Sequence, residues 1–195
     1  MSDYLTEEIS SSEESIVKMA QNGDEEAFGW IFERHHLFIY RFIFAMLGKH
    51  SLAEELTQET FLGAYKTIGS LRNESALRTW LCAIAKNVIH TSFRLNRKEG
   101  RKTNDEIDDL HLADEKNLSP DRQILNSELN KVILSALGQL NEDKRSVFIL
   151  RELHDLSYQE ISDITGYSIS KLKTDLFRSK IEMKAMLRQY MEAKK

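Results

Sequence analysis

Apolar residues recur at helical spacing along most of the chain. The densest run lies between Glu25 and Leu47, where Ala27, Phe28, Ile31, Phe38, Ile39, Phe42, Ile43 and Met46 are among the many apolar positions. They cover most of a helix circumference, which predicts a central, largely buried helix ended by Gly48. No Pro or turn residue interrupts the run, so no strand reading survives there. A short helix over Glu14–Gln21 precedes it, and Asn22-Gly23-Asp24 is a break in which Asp24 can cap the longer helix. Residues 1–13 are acidic and polar and read as a frayed tail.

The same spacing continues downstream. Ser51-Leu52-Ala53-Glu54 has the form of a capping box. The helix it would open carries Leu56, Phe61, Ala64, Tyr65 and Ile68 on one side, and Glu54, Glu55, Gln58 and Glu59 on the other. A polar loop, Leu71-Arg72-Asn73-Glu74-Ser75, leads into a helix over about 76–97. Its apolar face is Trp80, Leu81, Ile84, Ala85, Val88 and Ile89, and Trp80 falls in register with Ile84 and Val88, as core rather than as a stacking platform. Residues 99–118 lose periodicity and read as a flexible acidic linker. Ser119-Pro120 restarts a helix that runs to Leu137 and ends at Gly138. A second helix covers about 142–153. Ser157-Tyr158-Gln159-Glu160 is another capping box, opening a helix that stops near Gly166. The last helix, capped by Ser168 or Ser170, runs to about Tyr190.

These elements predict an all-α chain with two small helical domains, 14–98 and 119–195. The single Pro and eight Gly of the 195 residues agree with long helices. The one cysteine, Cys82, excludes an intrachain disulfide and reads as a packed small hydrophobe. His35, His36 and His50 lack ligand spacing, so no metal site and no cofactor is expected. No apolar run approaches the roughly 20 residues that span a bilayer, and the acidic amino terminus is no signal peptide. The expected place is the cytoplasm. Nothing resembles a nucleophile elbow, a phosphate loop or a catalytic carboxylate pair, which argues against an enzyme.

The net charge of −4 argues by itself against a nucleic-acid binder. Counting by segment changes that. Residues 86–102 hold six basic residues and one acid, +5; residues 103–130 hold two basic and eight acids, −6; residues 164–195 hold eight basic and three acids, +5. Two basic segments flanking an acidic one suggest two DNA-facing surfaces. In the second, Asp155–Lys180 has the register of a helix-turn-helix. Leu156, Ile161, Ile164, Ile169, Leu172 and Leu176 face inward, and Gly166 sits at the turn. Ser168, Ser170, Lys171, Lys173, Thr174, Phe177 and Arg178 are left on or near the outer side, suited to phosphates and guanine edges. In the first, the polar loop and the basic helix with Arg78, Lys86, Asn87 and Arg94 suit a single strand with unstacked bases.

Residues 52–88, with Glu-Glu-Leu-Thr-Gln-Glu-Thr-Phe followed by Arg-Thr-Trp-Leu, resemble the second conserved region of bacterial RNA polymerase sigma factors. The likeness is greatest to the extracytoplasmic-function class. Residues 140–180 resemble that family's fourth region. The resemblance implies that Glu54, Glu55, Gln58, Glu59 and Leu62 grip core RNA polymerase at the β′ coiled coil, with the β subunit as a further contact. It implies that Leu71–Ser75, Arg78, Asn87 and Arg94 hold the melted non-template strand of the minus-ten element, including a flipped base, without ATP. Ser168, Ser170, Lys171, Lys173, Thr174, Phe177 and Arg178 would read the duplex at the minus-35 element, from a chain that acts as a monomer. An anti-sigma factor is an expected partner.

The chain departs from the family at Ser170-Lys171-Leu172-Lys173-Thr174-Asp175, where the family usually has Gly-Thr-Val-Lys-Ser-Arg. Asp175 would repel phosphate, accept from a cytosine amine, or pair with Lys171 or Arg178. Asn141 stands for a usual Pro and Glu55 for a usual Asp. The rival expectation is a stand-alone helix-turn-helix regulator that needs no polymerase; it leaves Glu54–Glu59 and Leu71–Ser75 without a role.

Overall fold

The computed structural model describes residues 13–98 and 128–193, and all regular structure among them is helical. The linker expected over 99–118, residues 1–12 of the tail expected over 1–13 and the helix start at Pro120 lie outside the described residues; Glu13, read as tail, instead begins the first helix and bonds His35 at 2.8 Å. The amino-terminal half holds α1 (13–21), α2 (Glu25–Leu47), α3 (His50–Thr67) and α4 (Leu77–Lys98). The carboxy-terminal half holds α5 (Glu128–Gln139), α6 (Glu142–Phe148), α7 (Tyr158–Thr165) and α8 (Ile169–Ala193).

Most predicted caps form. Asp24 accepts from the Ala27 amide at 3.0 Å to start α2. Gly48 adopts φ 70° and donates to the Phe44 carbonyl at 2.7 Å to end it, a left-handed conformation that suits glycine. Between these stops α2 is the axis of its half: Ile31, Ile39, Phe42 and Ile43 are fully buried against α3 and α4. Asn141 caps α6 through the Lys144 amide at 2.9 Å.

Three boundaries differ from the sequence reading. The box at Ser51 does not form: α3 starts at His50, and Lys49 at its cap makes no side-chain bond. The His50 ring stacks on Phe44 at 4.1 Å and bonds the Tyr40 hydroxyl at 2.6 Å, which draws the helix start back past Ser51. Gly138 does not end α5, which continues to Gln139 while Leu137 and Leu140 are buried. The Arg145 guanidinium satisfies the terminal carbonyls there, donating to Gly138 at 2.6 Å and Leu140 at 2.9 Å. The helix predicted over 142–153 gives way after Phe148 to a π turn, Ile149–Leu153, in which the His154 amide reaches back to the Ile149 carbonyl at 3.1 Å. That wider turn places the His154 ring against α2.

The halves do not stand apart. α7 packs along α4, and α5 and the π turn pack on α2, so the buried apolar residues of both halves form one continuous cluster.

Candidate polymerase and nucleic-acid interfaces

α3 presents a narrow acidic face. Glu55, Gln58, Glu59 and Leu62 are exposed at spacings of three, four and seven residues, so they form one stripe. Glu54 beside them is half-buried. Leu62 is 61% exposed, a large apolar side chain left in water next to carboxylates and an amide. This face points away from the core made by Leu56, Thr60, Phe61 and Ala64.

The loop into α4 is pinned from behind. The Gln21 side chain of α1 donates to the Leu71 carbonyl at 2.7 Å and the Ile68 carbonyl at 3.2 Å. Leu71 is buried, so it anchors the loop rather than offering a contact. Asn73 caps a short 3₁₀ turn, accepting from the Ser75 amide and hydroxyl. Arg72, Asn73 and Ser75 are exposed, and Glu74 is half-buried with Lys18 at 3.9 Å. On α4, Asn87 and Arg94 are exposed and one heptad apart, on one side of the helix. Arg78 does not join them. Nine residues before Asn87, it lies on roughly the opposite side at about 100° per residue, with its guanidinium 4.2 Å over the Phe38 ring.

The helix-turn-helix forms as the register requires. Ser157 and Glu160 make the reciprocal capping box, with bonds of 3.2 Å and 2.7 Å. Gly166 turns the chain at φ 73°. Leu156, Ile161, Ile164, Leu172 and Leu176 are buried, while Ile169, assigned to the interior from sequence, is 39% exposed. Ser168 caps α8 by accepting from the Lys171 amide at 3.3 Å. Ser168, Ser170, Lys173, Thr174, Phe177 and Arg178 are exposed. The Thr174 hydroxyl donates to the Ser170 carbonyl at 3.0 Å.

Lys171 is different. Its ammonium donates to Asp175 at 2.6 Å and to Asp143 at 3.0 Å, and lies 3.8 Å over the Tyr167 ring. Of the pairings within the chain open to Asp175, the one with Lys171 forms. Desolvation works against the Lys171 charge, but the two carboxylates outweigh it and hold its pKa above the ordinary range. Asp143 is lowered because bonds from Tyr167 and Lys171 outweigh its own desolvation. The bond to Asp143, helped by burial, pushes the Tyr167 hydroxyl up to about 12.

Sequence reasoning missed the seam between the halves. Thr79 donates to Glu160 at 3.4 Å and Lys86 to the Thr165 carbonyl at 3.4 Å, joining α4 to α7. Arg145 also donates to the Met46 carbonyl at 2.7 Å, joining α6 to the end of α2. The His154 ring meets Phe38 edge-on at 4.5 Å and Phe42 at 5.9 Å. Burial, with Arg78 and Arg41 nearby, drops the His154 pKa to about 4. A cleft of about 300 Å³ lies in the seam, lined by Lys86, His90, Asp143, Ser146 and Tyr167 among others. Thr79, Lys86 and Ile89 lie seven and three residues apart on α4 and so share one face, on which Thr79 and Ile89 are buried; that signal was hidden because Thr79 and Lys86 also fit a solvated face. Cys82 is fully buried, and burial raises its thiol to about 12. Among the described residues no group of side chains could hold a metal ion, and no helix is long and apolar enough to cross a membrane.

Sigma-70 region 2 matches residues 31–99 and sigma-70 region 4 matches residues 130–183, together more than half of the chain. The chain therefore belongs to the sigma-70 family. The chain is 30% identical over 155 residues to the RNA polymerase sigma factor YlaC of Bacillus subtilis, covering 79% of this chain and 88% of YlaC. It is 32% identical over 165 residues to the extracytoplasmic-function sigma factor BldN of Streptomyces coelicolor, covering 84% of this chain and 61% of BldN's length. The fold matches that of the sigma factor RpoE solved in complex with the anti-sigma factor NepR from Bartonella quintana. The TM-score is 0.67 and the identity 23%, over 83% of this chain and 96% of that one. Within the family the chain is of the extracytoplasmic-function class, sigma factors that direct RNA polymerase to promoters. A stand-alone regulator accounts for the second match and leaves the first unexplained. Sigma factors as a class are not enzymes.

Proposed function

We propose that this sigma factor divides its task among three surfaces. The α3 stripe of Glu55, Gln58, Glu59 and Leu62, with Glu54 at its edge, docks on core polymerase at the β′ coiled coil. Carboxylates and an amide beside an exposed leucine want a partner that is basic at its rim and apolar at its centre. The loop at Arg72–Ser75, with Asn87 and Arg94, holds the melted non-template strand of the minus-ten element. Binding energy for unstacked bases then shifts the closed–open equilibrium without ATP. The amino-terminal part of α8 enters the major groove at the minus-35 element, where Lys173, Thr174, Phe177 and Arg178 are free of the turn. Lys171 acts there as a positioning residue, because its charge is already met by Asp143 and Asp175. Arg78 serves the seam rather than the strand.

The observation that carries this reading is the α3 stripe, which a protein acting on DNA alone has no use for. Its test is the double variant Gln58→Arg, Glu59→Arg. The expected result is a loss of core-polymerase affinity of about tenfold or more, in line with like-charge juxtaposition in an interface, with unchanged helicity. Unchanged affinity removes α3 from the interface. The chain works in the cytoplasm, where RNA polymerase is. An anti-sigma factor is a further partner; the RpoE relative was solved with one.

A further inference from the structure

We propose that Asp143 and Asp175 are specificity-determining residues of the minus-35 surface: together they withhold Lys171 from a base contact that its place in α8 would otherwise make. This rests on the division of DNA contacts proposed above. In a helix-turn-helix the first residues of the second helix approach the base edges. Lys171 is the third residue of α8, and a lysine there can donate to guanine O6 and N7 or to a phosphate. Helical phase puts it on the reading side. At about 100° per residue it lies within roughly 20° of Arg178, seven residues on, and it adjoins the face of Ser170, Thr174 and Phe177.

The ammonium is held elsewhere. It donates to Asp175, one turn along α8, at 2.6 Å and to Asp143 of α6 at 3.0 Å, and it covers the Tyr167 ring at 3.8 Å. Tyr167 donates to the other oxygen of Asp143 at 2.6 Å, so Asp143 is fixed from two sides. One ammonium meets two carboxylates, and the cluster as a whole stays negative. A guanine edge or a phosphate can recruit Lys171 only by leaving both carboxylates without their cation beside a polyanion. The Asp175 side chain is 13% exposed, so salt screens its pair with Lys171 poorly, and it is turned away from solvent where a base would lie. Asp175 thus acts through Lys171 rather than on a base. Lys173 and Arg178 make no ion pair among the described residues and stay free for DNA. All four members of the cluster belong to the carboxy-terminal half, so these bonds do not depend on the seam. The minus-35 element then has a step under Lys171 at which the wild type is indifferent to base identity.

The test is selection from a pool of randomised duplex DNA on holoenzyme assembled from purified core polymerase and the full chain, followed by sequencing. The variant Asp143→Asn, Asp175→Asn keeps the shape and an acceptor oxygen of each side chain and removes the charges that hold Lys171. It should enrich the same upstream element as the wild type, with guanine preferred about fivefold or more at one further position. Adding Lys171→Met to that variant should abolish the new preference. Asp163→Asn removes an exposed carboxylate on α7 and controls for net charge; it should add no preference. Lys171→Met in the wild type should remove no preferred position, whatever affinity it costs, and this arm stands even where the double variant fails to fold. Circular dichroism checks the fold of each. A folded double variant that selects only the wild-type positions overturns the assignment. So does one whose gain in affinity is spread evenly over all sequences, as a phosphate contact alone would give, and so does a wild-type element that loses a position with Lys171→Met. A wild-type holoenzyme that enriches no upstream element at all overturns the function proposed above, and this assignment with it.

Discussion

Acid should open the seam through a single imidazole. His154 sits in the carboxy-terminal half, yet the cations that help lower its pKa, Arg78 and Arg41, lie on α4 and α2 of the other half, and the burial comes from Phe38 and Phe42 of α2. The drop from 6.5 to about 4 thus belongs to the docked state. A depressed histidine pKa means the docked form binds the proton less well than the parted form. Docking is fully supported above pH 6.5, weakens as pH falls below it, and has lost the whole contribution near pH 4. At about 1.4 kcal/mol per pH unit, the 6.5-to-4 interval sets a ceiling near ~3 kcal/mol, and partial solvation of the ring brings the working figure to about 1–2 kcal/mol. The other ionisable groups of the seam do not mask this. Glu160 and Asp143 are each held below the ordinary carboxylate value, because hydrogen bonds outweigh their desolvation. His90 lines the cleft and is removed in a His90→Asn background. Energy transfer between fluorophores on Glu26→Cys and Gln189→Cys, exposed sites in opposite halves, should fall between pH 7 and pH 5, and His154→Gln should flatten the response. A pH response that survives His154→Gln, or none in the wild type down to pH 4.5, refutes the reasoning.

Other substitutions test the surfaces separately. Ser157→Ala removes the cap of α7 and should lower stability by about 1 kcal/mol, read as a drop in the thermal midpoint of unfolding. Lys173→Ala should reduce the salt slope of minus-35 duplex binding by about one counterion; Lys171→Ala should leave that slope nearly unchanged, because Asp143 and Asp175 already neutralise its charge. Gln21→Ala frees the Leu71 carbonyl and should cut affinity for a single-stranded minus-ten oligonucleotide by a few-fold, with little effect on duplex binding.

The local grammar of the chain was legible in advance because caps and periodicity act over a few residues. Asp24, Gly48, Asn141, the Ser157–Glu160 box and Gly166 all lie where their chemistry placed them. The polar face of α3 was legible for the same reason, as Glu54, Glu55, Gln58 and Glu59; the structure leaves Glu54 half-buried, and Leu62, which completes the stripe, came only from the family resemblance. What was hidden was long-range. Nothing in the pattern around Ser51 told that His50 stacks on Phe44 and starts the helix early. Arg78 looked like a member of the strand-binding face because composition alone groups it with Asn87 and Arg94; helical phase separates them, and Phe38 claims its guanidinium. Leu71 was grouped with its polar loop, though its side chain belongs to the core. The seam was invisible because Thr79 and Lys86 read equally well as a solvated face, and only the position of α7 distinguishes the two.

The central claim is that this chain brings polymerase to a promoter by holding two separated DNA elements. The direct measurement is runoff transcription with purified core polymerase on a template carrying both elements. The account predicts initiation at one start site, lost when either element is scrambled and lost with Gln58→Arg, Glu59→Arg. No initiation from any promoter by a protein that still binds duplex DNA tightly on its own would contradict it.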